Sequence, residues 1–184
     1  MWMGAIGDYL VIVDHENDEA WYIDGGLVVT QITDPDFPTT LAGGGAVLNG
    51  ILYVLDEDGT VYNSGLNDPT TWNALDFLNA EREPDGGEYI TKFLDHVVVF
   101  GSGTIEFFYD AGNPVGSPLK RREDISYRIG ALDAKSVYNS GDVIYFISAD
   151  VSGSLKLQSL QGFELVPLSS PQLDRYMQAR LLRS

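Results

Sequence analysis

The sequence contains no cysteine, so disulfides, thiolate zinc sites and cysteine nucleophiles are excluded. It has only two histidines, His15 and His96, so a metal site made of several imidazoles cannot be built from one chain. Basic residues are also scarce: 11 Lys and Arg stand against 27 Asp and Glu, which gives a formal charge of −16. Such a surface repels phosphate backbones and anionic lipids, which disfavours non-specific clamping of DNA.

Long apolar runs are absent as well. No stretch approaches the roughly 18 to 20 residues of a membrane span, and residues 1–14 lack the pattern of a signal peptide. The sequence therefore predicts a soluble chain without a processed leader or membrane contact. Its 184 residues, 44% hydrophobic and 21% charged, predict a single domain over residues 1–184.

Aromatic residues (11%) and glycine (20 residues) are plentiful, which favours short strands separated by turns. Four segments share one layout, in which a turn residue leads into an almost continuous run of β-branched and aromatic residues. The leading turn residues Gly7, Asn49, Asp95 and Gly141 stand 42, 46 and 46 positions apart. Regular spacing in this range is typical of the blades of a β-propeller.

The segments beside these runs repeat too, with a short strand before each run and a second hairpin after it. Each unit is then a meander of three or four strands, which cannot bury both faces alone, so neighbouring units must stack. The runs are apolar at nearly every position, as in strands covered on both faces. We therefore predict an all-β, propeller-like fold of about four consecutive blades, with a β-sandwich as the alternative.

Four blades are few for a closed ring. The chain is therefore expected to form part of a larger ring, or to complete one with a neighbour.

Three segments interrupt the repeat. Residues 66–84 form an insertion, for which a single helical turn is predicted around residues 74–80. Residues 43–45 are three glycines with no following Lys-Ser or Lys-Thr, so they predict a flexible connection and not a nucleotide loop. Residues 171–183 carry apolar side chains at helical spacing, which predicts a short C-terminal helix.

The acidic turns offer weak metal signals. Asp56-x-Asp58 resembles the start of a calcium loop, but no acidic residue follows at the required position, which favours a plain hairpin turn. The turn at residues 14–19 is denser in carboxylates, and the choice there lies between a calcium ligand set and a solvated loop tip.

Signals for catalysis are equally weak. Ser102 and Ser140 are not set in a Gly-x-Ser-x-Gly elbow, so a Ser-His-Asp arrangement is disfavoured. Carboxylate pairs such as Glu81 with Glu83, or Asp85 with Glu88, match the needs of a glycosidase. Because any chain with 27 acidic residues offers such pairs, we predict no catalytic residue, no metal ligand and no cofactor.

Glu106 is placed by strand alternation on one face with aromatic neighbours such as Phe108. An acidic group in such surroundings usually has a basic partner, for which Arg82, Arg121 and Arg122 are the candidates. We favour a structural ion pair between Glu106 and Arg121.

Two strings of the sequence carry a family resemblance: Trp-Asn-Ala-Leu-Asp-Phe at residues 72–77 and Glu-Phe-Phe-Tyr-Asp-Ala-Gly-Asn at residues 106–113. Together with Ser-Pro-Leu-Lys-Arg at residues 117–121, they make residues 50–165 similar to the packaged-DNA stabilisation proteins of short-tailed bacteriophages. The resemblance implies a non-enzymatic, propeller-like virion protein that helps close the portal and retain packaged DNA. Proteins of this family are considerably longer than this chain.

The resemblance also implies a setting. It places the chain in the virion at the tail or portal vertex after synthesis in the host cytoplasm, in a homo-oligomeric ring. The expected partners are portal or adaptor proteins and tail needle or fibre proteins, with packaged DNA nearby but not tightly bound. The alternative functions are a carbohydrate- or ligand-binding propeller and, third, a glycosidase.

Candidate contact residues for such partners are Trp72, Phe77 and the basic cluster Lys120, Arg121 and Arg122, because exposed aromatics and arginines are enriched at interface centres. A second interpretation places the two aromatic side chains in the core and leaves the basic cluster as a solvated turn.

Overall fold

The computed structural model describes residues 1–80, 85–150 and 153–181, and most of them lie in antiparallel strands. The strands form four consecutive meanders, which we call blades 1 to 4. Blade 1 contains β1 (Trp2–Ile6), β2 (Tyr9–Asp14), β3 (Glu19–Ile23) and β4 (Val29–Gln31). Blade 2 contains β5 (Gly43–Leu48), β6 (Ile51–Leu55), β7 (Thr60–Gly65) and β8 (Asp68–Asn79).

The second half of the chain repeats this order. Blade 3 contains β9 (Tyr89–Phe93), β10 (His96–Phe100), β11 (Ile105–Asp110) and β12 (Leu119–Tyr127). Blade 4 contains β13 (Gly130–Ala131), a 3-10 turn (Ala134–Ser136), β14 (Val137–Asn139), β15 (Val143–Ala149), β16 (Leu155–Gln161) and β17 (Glu164–Pro167). Helix α1 (Pro171–Leu181) then packs on β16. The prediction of about four consecutive meander blades is confirmed.

Three apolar clusters hold the blades together, and each joins one blade to the next. In blades 2 and 3, the strands β6 and β10 contribute to these clusters with both faces, because successive side chains of a strand point to opposite sides. The packed sets are Val11 and Val13 against Leu52 and Val54, Tyr53 and Leu55 against Val97 and Val99, and Val98 and Phe100 against Ile144 and Phe146. This two-sided packing explains the continuous apolar runs of β6 and β10.

Blades 2 and 3 share one eight-stranded sheet, because β5 and β9 pair in parallel through Gly43–Tyr89, Gly44–Ile90 and Gly45–Thr91. The expectation of a flexible connection at residues 43–45 was therefore wrong. Gly44 has φ +87°, and a Cβ atom built there would lie 2.1 Å from the carbonyl oxygen of Ile90. Glycine is thus required for the close approach of the two strands.

The helical turn expected around residues 74–80 was also wrong, because residues 68–79 form β8. Its pairing with β7 places Tyr62 opposite Phe77 and Thr60 opposite Asn79, and these ladder contacts outweigh the local helical pattern. The helix expected over residues 171–183 is present as Pro171–Leu181, and residues 182 and 183 lie outside the described part. Among the described segments, none is a helix long and apolar enough to cross a bilayer.

Candidate functional site

The basic cluster lies on β12, the outer strand of blade 3, and its arginines are engaged inside the chain. Arg121 Nε contacts the carboxylate of Glu106, which is only 1% exposed. Arg121 Nη2 donates a hydrogen bond of 2.8 Å to the carbonyl of Asn79, and its guanidinium stands 5.7 Å from the centre of the Phe108 ring. Arg121 therefore fastens blade 3 to the last strand of blade 2. The other candidate partner of Glu106, Arg82, lies outside the described residues.

Arg122 makes the corresponding connection towards blade 4. Its Nε donates to Asp124 Oδ1 over 3.1 Å, and its guanidinium lies 4.9 Å from the centre of the Phe163 ring. The same ring packs edge-on against His96, at 5.0 Å between centroids. Burial and the nearby Arg122 charge lower the pKa of His96, so its neutral form is favoured. This packing between Arg122, Phe163 and His96 was not anticipated from the sequence.

Lys120, in contrast, is exposed at the rim of a cleft of about 530 Å³. The cleft is also lined by His96, Tyr109 and residues 121–124, so both cations and carboxylates face it. Arg121 and Arg122 enter it with their charges already paired to Glu106 and Asp124. Lys120 is therefore the cation of this cluster whose side chain is exposed and accessible to a neighbouring molecule.

The two candidate aromatic residues have different positions. Trp72 is 5% exposed, packs at 90° against Phe37 and donates its Nε1 hydrogen to the carbonyl of Pro69 over 2.9 Å. Its side chain fills the core between blades 1 and 2, so the core interpretation replaces the expectation of a contact at Trp72. Phe77 is exposed on β8 beside Tyr62, with ring centroids 6.2 Å apart, and it remains a candidate contact.

A second feature is a pocket of about 410 Å³ to which all four blades contribute. Most of its charged lining residues are acidic, with carboxylates at Glu16, Glu57, Glu88 and Asp133. Lys135 Nζ lies 3.0 Å from Glu16 Oε1, which links blade 4 to blade 1 through an exposed ion pair. We call this feature the four-blade pocket.

Burial raises the pKa of Glu88, and the neighbouring charges of Asp133, Asp85 and Glu57 raise it further. A raised carboxyl pKa means that the folded state binds the proton more tightly than the unfolded state, so stability falls as pH rises through the folded pKa.

We expect Glu88→Gln to stabilise the fold by about 0.5 kcal/mol at pH 7. Urea unfolding at pH 7 and pH 4 measures the difference in unfolding free energy between the variant and the wild type, and this difference should vanish at pH 4. The exposed control Asp142→Asn should show no such gain, whereas an equal gain in both variants would contradict a local effect.

The other chemical candidates are engaged in turns. Ser102 Oγ donates to the carbonyl of Asp85 over 2.7 Å, and Ser140 Oγ donates to the carbonyl of Val143 over 2.8 Å. The Asp85 carboxylate accepts hydrogen bonds from Thr104 Oγ1 and from the backbone N–H of Gly103, so it holds the β10–β11 turn. Neither serine contacts a histidine here.

The acidic turn at Asp56 is a hairpin. Its carboxylate accepts from the backbone N–H of Asp58 over 2.9 Å and from Thr40 Oγ1 over 2.9 Å. In the described ranges, no group of three or more His, Asp or Glu side chains is placed to hold a metal ion. The carboxylate pair Glu81 and Glu83 lies outside those ranges.

Comparison with solved structures supports the fold. The chain is similar to a catalytically inactive variant of virginiamycin B lyase from Staphylococcus aureus, solved with quinupristin, at a TM-score of 0.59 and 11% identity, covering 92% of this chain and 55% of the lyase. It is also similar to the computationally designed protein Ika8, at a TM-score of 0.50 and 14% identity, covering 89% and 46% of the two chains. This chain thus spans about half the length of each, and at such identities the likeness concerns the fold alone.

A search of curated proteins finds no match. A family model does match, over residues 2–180, and its description is phage stabilisation, bacteriophage P22 Gp10, β-propeller. This match covers almost the whole chain and agrees with the four stacked blades. The chain therefore belongs to the phage stabilisation family of the bacteriophage P22 Gp10 β-propeller, and it is a structural protein of a bacteriophage.

Proposed function

We propose that the chain forms part of a tail hub that closes the portal vertex of a phage or prophage particle and retains its packaged DNA. The observation that carries this proposal is the family match over residues 2–180, together with the stacked blades. The mechanism is steric and associative: stiff blades present loops and edges to neighbouring virion proteins, and no covalent bond changes.

The internal packing suits a part that must hold its position. Three apolar clusters connect the blades in series, and the Arg121–Asn79 and Arg122–Phe163 contacts fasten blade 3 to both of its neighbours. Densely packed interiors of this kind resist deformation. A plug that opposes the escape of self-repelling DNA needs such stiffness.

The charge of −16 supports a wall or collar beside the DNA. Each phosphate neutralised by a protein cation adds salt-dependent affinity, which would retard the release of DNA during ejection. An acidic surface avoids that cost, because its excess of carboxylates repels the duplex.

The proposed partners are portal or adaptor proteins on one side and tail needle or fibre proteins on the other, with further copies of the chain completing a ring. Phe77 and Lys120 are the proposed contacts, since both are exposed in this chain. Arg121 and Arg122 contribute indirectly, because their contacts fix the strand that carries Lys120.

The function is tested with particles of the phage or prophage that encodes the chain, produced with the gene deleted. We expect heads that package DNA and then lose it, measured as DNA accessible to nuclease, and we expect purified chain to restore protection. Phe77→Ala combined with Lys120→Ala should restore less protection than the control Leu66→Ala, which removes an exposed apolar side chain elsewhere. Gene-deleted particles that keep their DNA protected would contradict the proposal.

A further inference from the structure

The outer strand of blade 2 carries a large bulge. In the pairing of β8 with β7, Phe77 stands opposite Tyr62 and Trp72 stands opposite Ser64. Residues 73–76 of β8 therefore face a single residue of β7 and have no partner in that strand. Bulges bend a strand and redirect its side chains, and three of these four residues are exposed. The bulge thus projects from the outer rim of the blade.

The backbone of the bulge is fixed. Trp72, directly before it, is buried and donates its Nε1 hydrogen to the carbonyl of Pro69 over 2.9 Å. Inside the bulge, the side chain of Asn73 accepts a hydrogen bond of 3.0 Å from the backbone N–H of Leu75, which closes a tight turn. The side chain of Leu75 is nevertheless 76% exposed. An ordered segment therefore holds an apolar side chain out into solvent.

The loop between β11 and β12, residues 111–118, lies against this bulge. A Cβ atom built on Gly116 would be 3.9 Å from the carbonyl oxygen of Leu75. Within the loop, the side chain of Asn113 donates a hydrogen bond of 3.1 Å to the carbonyl four residues further on. Val115, next to Gly116, is 87% exposed. Two segments from different blades thus present exposed apolar residues at one place.

We call this feature the rim knob, and its apolar members are Ala74, Leu75, Pro114 and Val115, all exposed. Isolated exposed apolar residues are ordinary on protein surfaces, but a contiguous set marks a place of contact with another molecule. Phe77, already a candidate contact, follows the bulge on the same strand.

Blade 3 shows what an equivalent bulge does when its side chains have a neighbour. Residues 122–125 of β12 face Phe107 alone in β11, which is the same four-to-one arrangement. In that bulge Arg122 reaches over the ring of Phe163 in blade 4. Leu75 in the blade-2 bulge belongs to none of the apolar clusters of the described residues. Its side chain is therefore available to a partner outside the chain.

The base of the rim knob is acidic. Asp76 lies in the bulge, and Asp110 begins the loop, where its carboxylate accepts from a backbone N–H of the loop over 2.8 Å. All 11 lysines and arginines of the sequence lie beyond residue 80, and the loop contains none. Arg121, whose guanidinium reaches the end of β8, is held by Glu106. The apolar tip is thus set on a negatively charged surface.

This charge selects the partner. A second copy of the chain would bring a further charge of −16 to the contact, so two copies repel each other. A cationic surface is attracted instead, and complementary charges around an apolar centre are typical of protein interfaces.

We propose that the rim knob inserts into an apolar recess, rimmed by lysine or arginine side chains, on a virion protein other than this chain. Leu75 and Val115 fill the recess, and Asp76 faces its basic rim. The inference rests on the proposed function, since it names the surface by which the hub binds one of its protein neighbours.

The first test measures binding of the purified chain to the gene-deleted particles, as the amount of chain that sediments with them. Leu75→Asp and Val115→Asp should each weaken binding by about tenfold or more, because a carboxylate would be buried in an apolar recess. The matched control Leu66→Asp adds the same charge at an exposed leucine outside the knob, and it should change binding by less than about twofold. Circular dichroism verifies that each variant is folded.

The second test identifies the occupant. With benzoylphenylalanine in place of Val115, irradiation of the bound particles should cross-link the chain to a different virion protein, at a peptide that carries Lys or Arg beside apolar residues. Raising salt from about 0.05 to 0.3 M should weaken binding, because opposite charges attract less when they are screened. Asp76→Asn should slow association, as the loss of a rim charge does. Cross-linking to a second copy, or binding that tightens with salt, would overturn the inference.

Failure of the rim knob is distinguishable from failure of the proposed function. Particles that bind Leu75→Asp and Val115→Asp as tightly as the wild type, and whose DNA these variants protect, would refute the knob and leave the function intact. Gene-deleted particles that keep their DNA, and still bind the chain through Leu75, would refute the function and support the knob.

Discussion

Replacing Arg121 by methionine is expected to lower the free energy of unfolding by about 3 kcal/mol. Glu106 is 1% exposed, and the substitution takes away the guanidinium that contacts its carboxylate. It also removes the hydrogen bond that Arg121 donates to Asn79. Breaking a buried ion pair from one side costs about 3 to 5 kcal/mol, and the lower end applies because Arg121 is itself 25% exposed.

Urea unfolding at pH 7 measures the loss, and Lys120→Met provides the matched control. Lys120 precedes Arg121 on the same strand and is exposed, so its replacement should change stability by no more than about 0.5 kcal/mol. Adding Glu106→Gln to Arg121→Met should recover part of the loss, since the buried charge is then gone. Equal losses in the Arg121 and Lys120 variants would show that the pair does not stabilise the fold.

Much of the fold could be predicted because its signals are local. Turn residues such as Gly7, Asn49 and Gly141 take positive φ values, and each is followed by a strand with buried apolar side chains, so the turn and the apolar run recur together. The Glu106–Arg121 contact also has a local basis: strand alternation places Glu106 away from solvent, and a buried carboxylate requires a cation.

The two wrong structural predictions, at residues 43–45 and at residues 74–80, concern segments whose structure is decided by contacts with residues distant in the sequence. At residues 43–45, three glycines predict a flexible linker, and only the position of Ile90 shows why the backbone must approach so closely. At residues 74–80 the local pattern predicts a helical turn, but the antiparallel pairing of β8 with β7 makes the segment a strand as far as Asn79.

The contacts of Arg122 could not be found in the sequence either. Phe163, on which it packs, belongs to the next blade, and no spacing pattern relates the two residues.

The second large effect is expected at Gly44, the centre of the parallel pairing between β5 and β9. We expect Gly44→Ala to lower the free energy of unfolding by about 3 kcal/mol or more. Two costs combine: an alanine at φ +87° is strained, and its Cβ would lie 2.1 Å from the Ile90 carbonyl oxygen, which belongs to the backbone and cannot rotate away. Relief of the clash requires separation of the strands that join blades 2 and 3.

Two further glycine variants separate these costs. Gly141 has φ +99° with no atom within 4 Å of a built Cβ, so Gly141→Ala should show the backbone strain alone, about 1 kcal/mol. Gly25 has neither the positive φ nor a close neighbour, so Gly25→Ala should be neutral or slightly stabilising. Chemical unfolding of all three should therefore rank Gly44 far above Gly141, and Gly141 above Gly25. If Gly44→Ala costs no more than Gly141→Ala, then β5 and β9 do not approach as closely as their pairing requires, and the join between the two central blades is looser than the glycines at residues 43–45 imply.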